Sequence, residues 1–122
     1  MTANPALDPA VVASLRELTP PGEPDVLTEV LQLFLADVPG RVARLRDACA
    51  AGSAADLQRA AHSLKGSAGN IGAHDLYAVC RHLDERGRTG DLAGVSGLVA
   101  ELETEYARVV TEIQRLIKTE QE

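Results

Sequence analysis

The chain has no Trp, one Met, one Phe, two Tyr and two Cys in 122 residues. With aromatics so scarce, a core has to be built from Leu, Val, Ile and Ala. Cys49 and Cys80 are too few and too far apart for a disulfide framework or a zinc ribbon. Each falls on the apolar stripe of a predicted helix, where a thiol serves as a small hydrophobe. Long apolar runs are also missing: none approaches the roughly 18 residues of a membrane span. The opening Met1-Thr2-Ala3-Asn4-Pro5 lacks the basic-then-apolar layout of a signal peptide. Basic residues are outnumbered, 12 against 18 acidic, and the formal charge of −6 argues against non-specific nucleic-acid binding. What is present is 45% hydrophobic and 25% charged, too apolar for a disordered chain and too charged for a membrane one. A single soluble, cytoplasmic domain is expected, with neither nucleic acid nor membrane as partner.

Period-2 alternation is absent, so strands are not expected, while helical periodicity runs almost throughout. Asp8-Pro9 reads as an N-cap followed by Pro at the first helical position, and Val12, Leu15 and Leu18 form a short stripe. Thr19-Pro20-Pro21-Gly22 breaks the chain. Asp25 restarts it, and Pro39 inside the next stripe predicts one long bent helix or two helices meeting there. Ser53 caps a third helix from Ala54 to Gly69. A fourth follows Gly72 and ends at Gly87, read as a C-cap glycine. Asp91 opens the last helix, with the stripe Val95, Leu98, Leu102, Tyr106, Val109, Ile113 and Leu116. Such helices with short connections bury their stripes most economically as an all-α, antiparallel up-down four-helix bundle, the short first helix capping one end. Residues 1–122 form one domain, about 1–7 and 119–122 being expected to fray.

One stretch breaks local rules: Leu57-Gln58-Arg59-Ala60-Ala61-His62-Ser63-Leu64-Lys65-Gly66-Ser67-Ala68-Gly69. At about 100° per residue, Leu64 lies about 200° from His62, so the apolar stripe is opposite and His62 faces water. Ala55, Gln58, Arg59, Lys65, Gly66 and Gly69 then fall within roughly 60° of His62. Each interior glycine costs a helix about 1 kcal/mol relative to Ala. Two of them on the face of His62 suit close approach of a partner's backbone to the imidazole. A hydrolase triad is not in view, since Ser63 and Ser67 point away by about 100° and 140°. His74 and His82 form no metal-ligand pair, and no metal is expected. Nucleophilic attack on phosphorus fits, a neutral imidazole nitrogen taking the phosphoryl group while Lys65 offsets the arriving charge. No glycine-rich phosphate loop or Walker lysine is present, so any ATP is used elsewhere.

At these residues the chain resembles a histidine-containing phosphotransfer domain. The resemblance rests on Ala61-His62-Ser63-Leu64-Lys65-Gly66-Ser67-Ala68 followed by Asn70-Ile71-Gly72-Ala73, and more loosely on Leu76, Cys80, Leu83 and Gly87-Arg88. It implies that His62 is phosphorylated, that Lys65 neutralises phosphate charge and that Gly66 admits the partner. The matching position on the next helix is Asp84, which would accept from Nδ1–H and leave Nε2 to attack. The alternative for Asp84 is a solvated carboxylate paired with Arg81 or Arg88. Arg88 matches a basic position near the site, and Arg59 and Arg81 add to a basic rim suited to an acidic pocket. Gln58 and Gly69 complete the expected contact face.

The resemblance implies a phosphoryl carrier rather than an autonomous kinase. Its partners are receiver domains of response regulators or of a hybrid sensor kinase, with Mg²⁺ on the receiver and no cofactor on this chain. A free-standing monomer is expected ahead of an excised domain or a dimer. The rival from another class is a non-catalytic helical adaptor or dimerisation bundle, which takes up no phosphate.

Overall fold

The computed structural model describes residues 4–121, and side chains through Thr119. Five helices follow in order: α1 (Pro9–Glu17), α2 (Val26–Ala51), α3 (Ala54–Asn70), α4 (His74–Thr89) and α5 (Val95–Gln121). No strand occurs among the described residues. Among the described residues neighbours pack in a ring, α2 on α3 and α5, α4 on α3 and α5, with no close backbone approach across either diagonal. The connections at 52–53, 71–73 and 90–94 are too short to return the chain to its starting end, so successive helices run antiparallel.

Three of the helix starts have a side-chain cause. The Asp8 carboxylate accepts from the Ala10 N–H at 2.9 Å, with Pro9 at the first position, and Ser53 Oγ accepts from the Asp56 N–H at 3.3 Å. Asp25 works differently: its carboxylate accepts from the hydroxyls of Thr19 and Thr28, while Thr19 Oγ1 takes the Val26 N–H at 3.0 Å. The stripe interrupted by Pro39 is a single helix, α2. Pro39 is on its exposed side, where the missing N–H to the Leu35 carbonyl is next to water.

Two boundaries differ from the sequence reading. Gly87 is not a C-cap; α4 continues to Thr89, and Gly90 takes the left-handed conformation at φ 79°. Both glycines suit a helix end locally, and packing decides between them, because Gly87 is buried against α3. Asp91 does not open α5. Its carboxylate accepts from the Ala93 N–H at 3.2 Å in a local turn, Gly94 sits at φ 73°, and the helix begins at Val95. A third difference lies at the start of the chain. Leu7 is buried, the Asn4 amide donates to Asp75 Oδ1 at 3.0 Å, and the Asn4 carbonyl accepts from Arg108, so residues 4–7 are pinned rather than frayed. At the other end α5 stays helical through Gln121, while residues 1–3 and 122, also expected to fray, lie outside the described residues.

The core is aliphatic, as the composition requires, with Leu31, Leu45, Leu64, Leu83, Leu102 and Ile113 among its fully buried members. On α5, Val99 is buried, while Leu98 and Tyr106 pack only partly against the core. The Tyr106 ring lies 6.4 Å from that of Phe34. Cys80 is fully buried and Cys49 half-buried. α1 covers the turn between α3 and α4: the Asp8 N–H donates to the Gly72 carbonyl at 2.9 Å and His74 Nε2 lies 2.8 Å from the Asp8 carboxylate. Gly72, at φ 71°, lets α1 approach so closely that a Cβ there would stand 2.8 Å from Val11 Cβ. No helix of the described residues is long and apolar enough to cross a membrane.

Candidate functional site

α3 buries Leu57, Ala61, Leu64 and Ala68. Burying that stripe turns His62 outward, and its side chain is 63% exposed. The flank of α3 nearest α4 carries Gln58, His62, Lys65 and Gly69 at spacings of four, three and four, which form one edge of a helix. Antiparallel α4 answers it in register: Gln58 meets Gly87, His62 and Lys65 meet Asp84, and Gly69 meets Tyr77.

Asp84 is the hub. It is the one buried charged side chain among the described residues, 1% exposed, and four side chains converge on its two oxygens. Gln58 Nε2 donates to Oδ1 at 2.8 Å, and Lys65 Nζ donates to Oδ2 at 3.0 Å. His62 Nδ1 lies 3.2 Å from Oδ2, and the Arg88 guanidinium reaches both oxygens at 3.4 Å. Burial opposes the charge of this carboxylate, but hydrogen bonds from Gln58, Lys65 and His62 outweigh it and hold Asp84 well below the usual carboxylate range. An ionised carboxylate only accepts, so the proton between it and the imidazole belongs to Nδ1. Nε2 has no hydrogen-bond partner among the described residues, on a side chain that is largely exposed.

The solvated alternative for Asp84 is thus replaced by a buried one, although Arg88 does pair with it. Lys65 sits differently from the expectation that it faces an arriving anion. Its side chain is 21% exposed, and its ammonium is on the same Asp84 oxygen that the ring uses. Gln58, expected as a contact residue, is instead joined to the carboxylate. With Lys65 and Arg88 against Asp84, two cations outnumber the one carboxylate beneath the ring. The cluster lies in a chain whose formal charge is −6.

Around the ring the relief is low on one side. A Cβ at Gly66 would meet no atom within 4 Å, whereas one at Gly69 would touch the Tyr77 ring at 3.6 Å. Tyr77 carries no signal in the sequence, and Gly87 enters there only as a C-cap and within the resemblance, not as a packing contact. An exposed aromatic on α4 carries no periodicity cue, and an interior glycine reveals its use only once the facing helix is known. Arg59 pairs with Asp56 at 3.4 Å, and Arg81 is exposed on α4; neither joins the Asp84 cluster. His74 is engaged with Asp8, and no group of three potential metal ligands occurs among the described residues.

The chain has relatives that bear on this arrangement. Residues 29–112 match the Hpt domain. A solved structure of histidine-containing phosphotransfer protein B from Pseudomonas aeruginosa is similar at a TM-score of 0.87 and 33% identity, over 96% of this chain and 98% of that one. Histidine-containing phosphotransfer protein 2 of Arabidopsis thaliana is 26% identical over 111 residues, covering 88% of this chain and 71% of the relative.

Proposed function

This chain belongs to the Hpt domain family and is a histidine-containing phosphotransfer protein of phosphorelays, and on that premise we propose that His62 is the residue that accepts and carries the phosphoryl group. The donor is the phospho-aspartate of one receiver domain, and the acceptor is the aspartate of another. The carrying observation is an exposed imidazole whose Nδ1 is engaged by a buried carboxylate at 3.2 Å while Nε2 is left free.

In the forward step the Nε2 lone pair attacks phosphorus, the acyl P–O bond breaks, and its electrons return to the donor aspartate as a carboxylate. The ring gains positive charge as the N–P bond forms. Asp84, on the Nδ1–H, offsets that charge without having to move. Lys65 and Arg88 supply nearby positive charge for the transferred group, and Gly66 leaves room for in-line approach. The return step is the same sequence reversed. ATP has no part on this chain, and Mg²⁺ belongs with the receiver. The setting for such a carrier is the cytoplasm, acting as a monomer.

Incubation with a phosphorylated receiver domain tests the reading. The expected product is a stoichiometric phosphate, labile in acid and stable in base, absent from His62→Gln. Labelling that persists in His62→Gln overturns the assignment.

A further inference from the structure

Gly87 is a glycine in the interior of α4, in ordinary helical conformation, and buried. Neither a turn nor a positive φ calls for it. Its surroundings do: a Cβ built there would stand 2.7 Å from the Gln58 backbone nitrogen, 2.7 Å from Gln58 Cβ and 2.8 Å from Gln58 Cα. Two of these are main-chain atoms that no rotamer change can withdraw. Carbon contacts settle at about 3.5–4.0 Å, so any side chain at position 87 forces α3 and α4 apart by roughly 1 Å.

We infer that Gly87 is a positioning residue for phosphoryl uptake, setting the α3–α4 separation at which the Asp84 carboxylate engages His62. The inference rests on the proposed role of His62. Gly87 lies three residues beyond Asp84 on α4, and Gln58 lies four before His62 on α3, so the point of closest approach is one turn from the reacting ring. Contact at Gly87 brings the Gln58 amide within 2.8 Å of Asp84 Oδ1. That bond orients the carboxylate so that Oδ2 faces His62 Nδ1 at 3.2 Å and Lys65 Nζ at 3.0 Å. The ring contact is already near the long end of a hydrogen bond, so a further separation of roughly 1 Å breaks it. The ring would then lose the group that selects its tautomer, while the residues exposed on α3 around His62 would keep their arrangement.

The test compares wild type, Gly87→Ala and Gln58→Ala by ¹⁵N NMR of the His62 ring and by phosphotransfer from a phosphorylated receiver at saturating and subsaturating concentrations. Wild type is expected to show one tautomer, with the proton on Nδ1. Gly87→Ala is expected to remain folded, to show mixed tautomers, and to transfer about ten- to a hundredfold more slowly at saturation with KM little changed. Gln58→Ala leaves the helices in contact and removes only the amide, so it gives the same tautomer change with a smaller rate loss. A folded Gly87→Ala with wild-type tautomer and rate overturns the inference and leaves the His62 reading standing. So does an unfolded Gly87→Ala combined with a wild-type Gln58→Ala, since the glycine would then serve the fold alone. Wild type that takes no phosphate defeats the His62 reading and with it the role in uptake, and the NMR comparison then decides only whether Gly87 sets the ring tautomer.

Discussion

At the scale of single residues, Asp84 concentrates the energetics of the site. A carboxylate with almost no exposure is tolerable only because Gln58, Lys65, His62 and Arg88 all donate to it. Its folded pKa lies well below 3.8, the ordinary value for an aspartate. Its contribution to stability is therefore complete above that pH and is lost as acid protonates the folded form. Asp84→Asn is expected to lower stability by about 1–3 kcal/mol near neutral pH, from urea unfolding. The difference from wild type is expected to narrow once the pH falls below 3.8. A constant difference across that range would mean that the charge of Asp84 contributes nothing. The outward direction of His62 was legible from the 100° periodicity, because a helix with Leu57, Ala61, Leu64 and Ala68 inside has one way to face. The depth of Asp84 was not. Burial of a carboxylate depends on what the facing helix offers, and Gln58 and Lys65 reveal their common target only when α3 and α4 are set side by side.

At the scale of helices, the glycines separate into those that serve packing and those that serve access. Gly40 in α2 and Gly66 in α3 are both helical, and a Cβ at either would meet nothing within 4 Å. Gly40→Ala and Gly66→Ala are each expected to stabilise the protein by about 0.5–1 kcal/mol, read from thermal unfolding. Gly66→Arg is expected to keep the fold and to block transfer, whereas Gly40→Arg should transfer normally. Equal transfer by the two Arg variants would move the contact face away from Gly66. The existence of all five helices was readable from apolar spacing and capping residues. Their ends were less so, and the errors share a cause. Gly87 and Gly90 offer the same local conformational freedom, and Asp91 can cap a helix or close a turn. Only tertiary contact, Gly87 against Gln58, or a positive φ at Gly94 decides between such options.

At the scale of the whole molecule, an acidic protein of formal charge −6 places Arg59 and Lys65 on α3 with His62, and Arg81 and Arg88 on α4 with Asp84. Opposite charge on a receiver pocket would speed encounter without deepening the bound state. The double variant Arg59→Glu/Arg81→Glu is expected to slow association with a receiver about tenfold at low salt, by stopped-flow measurement, and to leave the rate at saturation unchanged. The effect should shrink as salt screens it over distances of about 10 Å. An unchanged association rate would exclude these two arginines from steering. The bundle topology followed from short connections and amphipathic stripes. The pinned start of the chain did not, because Leu7 and Asn4 belong to no periodic pattern and are held by partners as distant as Asp75 and Arg108.

The buried thiol on α4 has a practical consequence. Burial pushes Cys80 up to about 12, so at neutral pH it is both shielded and protonated, while Cys49 is half-buried. Alkylation by a maleimide at Cys80 must wait for the core around α4, the helix that also carries Asp84, to part. The native protein thus carries an internal stopwatch for how often its signalling face comes undone.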